Sequence, residues 1–417
     1  KIHDCEGTEQ LRKFVNQRVV GMEYGALMEM AVRAGEIMLA SGAEVYRVED
    51  TIHRILKHSG IARADVFVVT TGIVATIADA SLPPLTLVKR VENRATNLNR
   101  IYQVNNVSRE FCSGKLSVRE AQERLDRIAN TTLYGFWKKC IGYAATTGFF
   151  AVMFGGGPGE CLVAAVVGVV LAFVLRAASN LMLNDFCQNA LGSFALAVAA
   201  YLLRRGAFLG MSLDVVIISA IMPLVPGVTF TAAIRDTLNG DYSSGVARMA
   251  EAVVRRSGDR GSPAGGRIGM TEMIRELMIQ SVGAFLAIFG FSLLVDMPRK
   301  YLVYAGITGG AGWLAYLVSM QVGTSQVAAA FFSSLAAALL SQVFARVLKA
   351  PVTIFLVAGI LPTVPGASIY RSVYFLIQGQ TKWYNFYLIQ TIQIAGAMAV
   401  AIFIVDSLFR LLRNKAS

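Results

Sequence analysis

The sequence contains few charged residues and few residues of the kinds that bind metals. Asp, Glu, Lys and Arg make up only 16% of its 417 residues, and there are 3 histidines and 5 cysteines. No two cysteines form a C-x-x-C pair, so we expect neither a disulfide framework nor a zinc site. The stretch GGGPGE at Gly155 to Glu160 lacks the Gly-Lys-Ser/Thr of a phosphate-binding loop. We therefore expect no metal site, no cofactor and no ATP-driven reaction.

Acidic residues are scarce in most of the chain, but not in its first 131 residues. Residues 1–131 hold 18 of the 39 Lys and Arg residues and 16 of the 27 Asp and Glu residues, whereas the remainder holds 21 and 11. The remainder consists of long apolar runs separated by short basic clusters, as in membrane proteins whose cytoplasmic loops collect Lys and Arg. The net charge of +12 therefore reflects membrane topology and does not indicate a nucleic-acid partner. The first ten residues have no apolar core and do not resemble a signal peptide.

The pattern within residues 1–131 predicts a cytosolic α+β domain. Helical periodicity runs from Met22 to His58 and is interrupted at Gly42, because glycine commonly ends helices. Two β-rich stretches follow, ADVFVVTTGIVATIA and PLTLVKRV, with SLPP as the turn between them. Two further helices are predicted at about 96–113 and 117–131.

Charged residues in the second front helix lie at helical spacing. Pairs at this spacing stabilise a helix by only about 0.2–0.5 kcal/mol each. From the residues alone, a solvated row of salt bridges is therefore the simplest interpretation. The predicted stripe of alternating sign consists of Glu44, Arg47, Asp50 and Arg54, with Glu49 nearby.

The rest of the chain contains nine runs that are apolar and, at about 20 residues, long enough to cross a bilayer as helices. We divide them into a first membrane repeat at 132–256, a polar linker at 257–272 and a second repeat at 273–417. The second repeat closes with a fifth span, whereas residues 242–272 are too charged to be clearly a span. The first repeat therefore has either four or five membrane helices. The nine runs lie at about 134–154, 160–178, 186–203, 212–234, 274–296, 301–320, 324–346, 351–376 and 384–409.

One motif occurs in the fourth span of each repeat. MPLVPG at Met222 to Gly227 recurs as LPTVPG at Leu361 to Gly366, 139 positions later. Proline and glycine interrupt helices, and repeats with an odd number of spans are inverted, as in transporters whose substrate sites lie on interrupted helices. We predict a permeation path at these breaks, with two packing kinks as the alternative. The residues predicted to line the path are Pro223, Pro226, Gly227, Thr229, Pro362, Pro365, Gly366 and Ser368.

Proton coupling would require a titratable group, and the membrane half has few acidic residues. Asp236 is the candidate we favour, since it follows the first break by ten residues and is adjacent to Arg235. An interfacial ion pair at the end of the span is the alternative interpretation of these two residues.

Three long motifs resemble those of the threonine/serine exporter (ThrE-like) family. They are ASGAEVYRVEDTIHRI in the front domain, LVPGVTFTAAIRDTLNGDYSSGVARMAEA in the first repeat and LPTVPGASIYRSVYFLIQG in the second. The resemblance implies secondary-active export of threonine and serine, driven by the proton motive force. In many members the two membrane halves are separate subunits, whereas here they are fused. Some split relatives are linked to export of dicarboxylates such as succinate, which is the alternative substrate class.

The resemblance also implies roles for individual residues. In the front domain it points to a cytosolic gate or vestibule, where an arginine could bind the carboxylate of a zwitterion and a glutamate its ammonium. The front residues that match the family motif are Gly42, Glu44, Arg47 and Glu49. In the membrane repeats the matching residues are Pro226, Gly227, Arg235, Asp236, Gly240, Asp241, Pro365, Gly366 and Tyr370.

We therefore predict a polytopic α-helical transporter of the cytoplasmic membrane and not an enzyme, with two repeats of about five helices. Its expected partners are a small polar metabolite, protons and the lipid bilayer; the oligomeric state stays open, a homo-oligomer included. A dicarboxylate path would be lined by Arg235 and Arg371 without balancing acids. The family's front domain has been viewed as hydrolase-like, so a membrane-anchored hydrolase is a further alternative, as is a passive channel.

Overall fold

The chain divides into two compact units, Lys1–Leu133 and Tyr134–Ser417. The structure is a computed structural model, and it describes residues 23–61, 63–79, 82–92, 95–206, 210–224 and 270–414. The described part of the first unit consists of helices α1 (23–40), α2 (Val45–His58), α3 (Leu98–Cys112) and α4 (Val118–Asn130), and of strands β1 (Arg63–Val69), β2 (Gly72–Asp79) and β3 (Leu82–Arg90).

The three strands form an antiparallel sheet in the order β1-β2-β3. Both predicted β-rich stretches form strands, and the first supplies two of them, because it turns at Thr70 and Thr71 and pairs with itself as a hairpin. The predicted turn SLPP is wrong in part, since Pro83 and Pro84 lie inside β3. An edge strand tolerates proline because one side of its backbone has no strand to bond.

The apolar face predicted for α1 is buried, from Leu27 to Met38. The helix lies close to α2, because a side chain at Gly35 would come within 2.4 Å of the Ile52 side chain. On the sheet, alternate residues of β2 such as Ile73 and Ile77 are buried. The core of the first unit thus lies between the helices and one face of the sheet. This agrees with a side-chain period of about 3.6 residues in a helix and 2 residues in a strand, which places apolar residues on one face of each element.

The second unit is helical throughout its described residues. Its first four helices are α5 (Phe136–Met153), α6 (Pro158–Asn180), α7 (Asp185–Gly206) and α8 (Leu213–Ile221). After residues 225–269, which lie outside the described part, come α9 (Met270–Leu294), α10 (Leu302–Gln321), α11 (Gln326–Val347), α12 (Val352–Gly359), α13 (Gly366–Ile377) and α14 (Thr381–Asn414).

Six of these helices are long and apolar enough to cross a membrane, or seven if α12 and α13 are one bent span. The chain is therefore a polytopic helical membrane protein. The sequence predicted nine spans. The other two correspond to α5, whose 18 residues include Lys138 and Lys139 near its start, and to the run at 212–234, which leaves the described residues after Leu224.

Helices α5 and α9 pack side by side and run in opposite directions. A side chain at Gly142 would come within 2.9 Å of the Gly290 carbonyl oxygen, and one at Gly283 within 3.1 Å of Val152. Beyond the glycines, the Lys139 ammonium lies 2.9 Å from the Asp296 carboxylate at the end of α9. The start of α5 is therefore next to the end of α9. The glycines at the contact have no side chains, so the two backbones approach closely.

The four helices before residues 225–269 and the first four helices after them show the same pattern of contacts within each group. In the first group α6 contacts α5, α7 and α8, and α8 also contacts α5 and α7. In the second group α10 contacts α9, α11 and α12, and α12 also contacts α9 and α11. Helices α8 and α12 begin at Leu213 and Val352, a separation equal to that of the repeated motif.

Candidate functional site

The corner between α1 and α2 depends on the backbone of Gly42. Its φ of +81° is in the left-handed region, where glycine is favoured. The Ala43 N–H donates to the Met38 carbonyl and the Gly42 N–H to the Leu39 carbonyl, which is the Schellman pattern at a helix end. The predicted helix stop at Gly42 is confirmed, and it orients the residues that follow.

Glu44, which is buried, and Arg47, which is half-buried, form an ion pair at the start of α2. The Arg47 Nε donates to Glu44 Oε2 at 3.0 Å, and the Glu44 side chain is only 5% exposed. Arg47 also donates to the Tyr46 hydroxyl at 3.4 Å. Burial disfavours the charge on Arg47, but Glu44 and Tyr46 more than offset this effect, so the pKa of Arg47 lies above its ordinary value. Arg47 therefore stays charged at every physiological pH.

Glu49 does not join this pair, although it is only two residues away. Its Oε1 accepts a hydrogen bond of 2.9 Å from the Val68 N–H on β1. Asp50 and Arg54 form a separate, exposed pair. The predicted stripe is thus two ion pairs with different surroundings, and Glu49 ties α2 to the sheet.

The second Pro-x-Val-Pro-Gly motif interrupts a helix, as predicted. Helix α12 ends at Gly359, a single 3₁₀ turn covers Leu361–Thr363, and α13 begins at Gly366 with a bend of 45°. All residues from 358 to 366, including Pro362 and Pro365, are buried, and the turn contacts α9, α10 and α11. A side chain at Gly359 would come within 2.4 Å of the Thr308 methyl group on α10. The break is therefore enclosed by protein, where irregular backbone is tolerated inside a membrane.

The first motif is described only at its beginning. Pro223 is half-buried in the turn after α8. Helix α8 contacts α13, and Asp214 at its start lies within electrostatic range of Tyr370. The helix that leads into the first motif therefore adjoins the helix that leaves the second. The remaining predicted residues of this motif lie outside the described part of the chain: Pro226, Gly227, Thr229, Arg235, Asp236, Gly240 and Asp241.

Ser368, two residues after the second break, begins a chain of polar side chains across three helices. Its hydroxyl donates to Gln390 Oε1 on α14 at 3.2 Å. The Gln390 Nε2 donates in turn to Gln326 Oε1 on α11 at 2.8 Å. Sequence reasoning singled out Ser368 and missed its connection to Gln390 and Gln326; their polarity within apolar runs was the available signal.

A second polar group joins α11 and α14 near the other end of these helices. The Gln342 amide donates to Asp406, and Gln342 Oε1 accepts from Arg346 at 2.6 Å. The Arg346 guanidinium lies over the Phe409 ring at 4.1 Å. Across the described residues, no group of three His, Cys, Asp or Glu side chains is placed to hold a metal ion.

Two family models match the chain, one in each half. The model described as "Putative threonine/serine exporter" matches residues 29–256, more than half of the chain. The model described as "Threonine/Serine exporter, ThrE" matches residues 280–408. The chain belongs to the threonine/serine exporter family. An exporter is a transporter and not an enzyme, and with the apolar helices this makes the chain a multi-pass protein of the cell membrane.

Two curated relatives of the exporter family align with most of the chain. The "Probable threonine/serine exporter" of Mycobacterium tuberculosis is 23% identical over 372 residues, which cover 84% of this chain and 69% of the relative. The "Threonine/serine exporter" of Corynebacterium glutamicum is 25% identical over 386 residues, which cover 86% of this chain and 77% of the relative. No solved structure matches the chain.

Proposed function

We propose that this protein exports threonine and serine out of the cell. The observation that carries the proposal is the alignment of more than four fifths of the chain with two relatives that bear this name. The apolar helices support it, since export of a polar molecule requires a protein that crosses the bilayer. The fused arrangement of the two matched regions supplies both membrane halves in one chain.

The proposed architecture has a cytosolic front unit (Lys1–Leu133) followed in the chain by two inverted membrane repeats, with boundaries near residues 131, 256 and 273. Equivalent neighbours in the two helix groups and the common separation of 139 positions support a repeat. If the front unit is cytosolic, α5 starts on the cytosolic side and α9, its antiparallel neighbour, ends there. An odd number of crossings then separates the start of α5 from the start of α9, which is the condition for inversion.

The proposed substrate path runs past the two interrupted helices. Contact between α8 and α13 supports it, because the helix that leads into the first motif then lies beside the helix that follows the second break. The second break is enclosed by α9, α10 and α11, so alternating access would require these helices to move apart on one side. Ser368 and Tyr370 lie on the part of α13 that adjoins this region.

Glu44 and Arg47 are the proposed recognition pair of the cytosolic vestibule. Gly42 orients them, and their opposite charges match the ammonium and carboxylate of an amino acid. Glu49 supports the vestibule indirectly, because its carboxylate is bonded to β1. A substrate would have to exchange ion-pair partners with Glu44 and Arg47, which suits transient binding.

Dipeptide feeding tests the proposed function. Cells with and without the protein receive threonine-containing dipeptides, and threonine is then measured inside the cells and in the medium. We expect the protein to lower intracellular threonine and raise it outside, and a protonophore to abolish export against a gradient. Equal intracellular accumulation in both strains would overturn threonine export. Export of succinate in place of threonine would identify the dicarboxylate alternative, and uphill export that persists with the protonophore would exclude the proton motive force.

A further inference from the structure

Ser368, Gln390 and Gln326 form a network of neutral polar side chains. Its three members come from α13, α14 and α11, and two side-chain hydrogen bonds join them. Ser368 is buried, Gln390 is half-buried and Gln326 is exposed. These hydrogen-bonded side chains therefore lead from the buried helix break to the surface of the helical bundle.

The hydrogen bond nearest the break is the longer of the two. At 3.2 Å, the bond from the Ser368 hydroxyl to Gln390 Oε1 is longer than the usual 2.7–2.8 Å of an O–H···O bond. The bond between the two glutamines, at 2.8 Å, is of ordinary length. A ligand that carries a hydroxyl group could replace the longer bond, because a hydroxyl both donates and accepts. It would donate to Gln390 Oε1 and accept from Ser368, so neither side chain would lose a partner.

A positive charge lies one helical turn away on the same pair of helices. Arg371 follows Ser368 by three residues on α13, and its guanidinium lies 5.6 Å from the centre of the Tyr387 ring, three residues before Gln390 on α14. One turn of helix is about 5.4 Å, a distance that one small amino acid can bridge. The face shared by α13 and α14 thus offers a cation for a carboxylate next to a hydroxyl-binding pair.

We propose that Ser368 and Gln390, supported by Gln326, bind the side-chain hydroxyl of the exported amino acid and select threonine and serine over their apolar analogues. This inference rests on the proposed function and adds the residues that determine specificity. Valine has nearly the shape of threonine but no hydroxyl. It would break the Ser368–Gln390 bond without replacing it, and a site whose polar groups stay unpaired rejects such an analogue strongly.

The test compares export of threonine and valine by cells that carry the full chain or a variant. Gln390→Leu removes both the acceptor for Ser368 and the donor to Gln326, and Ser368→Ala removes the hydroxyl with little change in volume. We expect each variant to lower the ratio of threonine to valine export at least tenfold, through slower threonine export. Gln393→Leu is the matched control, since Gln393 lies one turn further along α14 and makes no side-chain hydrogen bond within the described residues.

The ratio of threonine to valine export distinguishes a role in substrate recognition from a role in helix packing alone. If the polar chain only holds the helices together, both amino acids will be exported more slowly and the ratio will stay at the wild-type value, which overturns the inference. Should Gln390→Leu fail to reach the membrane, Ser368→Ala decides the question alone. A wild-type protein that exports neither amino acid overturns the proposed function itself, whereas wild-type threonine export with an unchanged ratio in Ser368→Ala overturns only the hydroxyl-binding role.

Discussion

Two polar groups, one in the front unit (Lys1–Leu133) and one in the membrane unit (Tyr134–Ser417), are stabilised in opposite ways. In the front unit, Glu44 and Arg47 are charged, lie three residues apart and satisfy each other within one helix. In the membrane unit, Ser368, Gln390 and Gln326 are neutral and belong to three helices. The front pair is therefore a local product of helical spacing, whereas the membrane chain exists only when three helices are packed correctly.

This difference follows from the surroundings. An ion pair at a partly exposed helix end needs little beyond a neighbour of opposite charge. Inside a bilayer a charge is costly and even an amide needs a partner, so the available residues must come from whichever helices meet. A change in helix packing should therefore affect the membrane unit far more than the front unit.

The largest effect is expected at Gly359, where α12 meets α10. In Gly359→Ala the new methyl group would lie 2.4 Å from Thr308 Cγ2, and overpacking of this kind costs about 1–3 kcal/mol. We expect threonine export to fall at least tenfold, measured by dipeptide feeding at equal protein level in the membrane. Thr308→Ser removes the clashing methyl but keeps the hydroxyl bonded to the Tyr304 carbonyl, so it should restore export in the double variant.

The control for this variant is Gly25→Ala in α1 of the front unit. A side chain there meets no atom within 4 Å, and alanine favours a helix over glycine. Export should be unchanged. Full activity of Gly359→Ala, or an equal loss in Gly25→Ala, would contradict the contrast between the two units.

A smaller effect is expected from breaking the front ion pair. Glu44→Gln leaves the Arg47 charge without its carboxylate. The expected cost is about 2 kcal/mol, less than for a fully buried pair, because 22% of the Arg47 side chain is exposed. Amide hydrogen exchange of the full chain should quicken at the α1–α2 corner. Asp50→Asn breaks the exposed pair with Arg54 and should change exchange little. Equal effects of the two variants would mean that burial does not distinguish the pairs.

The smallest effect concerns the capping box of α4 and its dependence on pH. The Glu120 carboxylate accepts hydrogen bonds from the Ser117 backbone N–H, which has the larger effect, and from the Ser117 hydroxyl. Both bonds hold the pKa of Glu120 below its ordinary value. Because the folded pKa is the lower one, the cap stabilises α4 at neutral pH and is lost as the pH falls through that pKa. Glu120→Gln should therefore quicken exchange of the first turn of α4 at pH 7, but not once the pH lies below the folded pKa. A difference that persists in acid would exclude the carboxylate as its source.

Sequence reasoning was most successful where one element decides the outcome. It predicted the helix stop at Gly42 and the helix interruption at Pro362 to Gly366, since proline and glycine act on their own backbone. It located the β-rich stretches but did not divide the first of them at Thr70 and Thr71, which are weak turn signals. It also placed Pro83 and Pro84 in a turn, although an edge position makes proline acceptable inside a strand. It also grouped Glu49 with Arg47, because a distant N–H on β1 cannot be seen from spacing along α2.

The amino-acid sequence by itself determined that this is a membrane protein with a helix interrupted at Pro362 to Gly366, because hydrophobic run length and the missing N–H of proline act locally. Only the tertiary structure decided that Gln390 and Gln326 meet Ser368, that α5 and α9 lie antiparallel, and that the second break is enclosed by protein. These contacts join residues far apart in the chain, so they depend on how whole helices pack and not on any period within one of them.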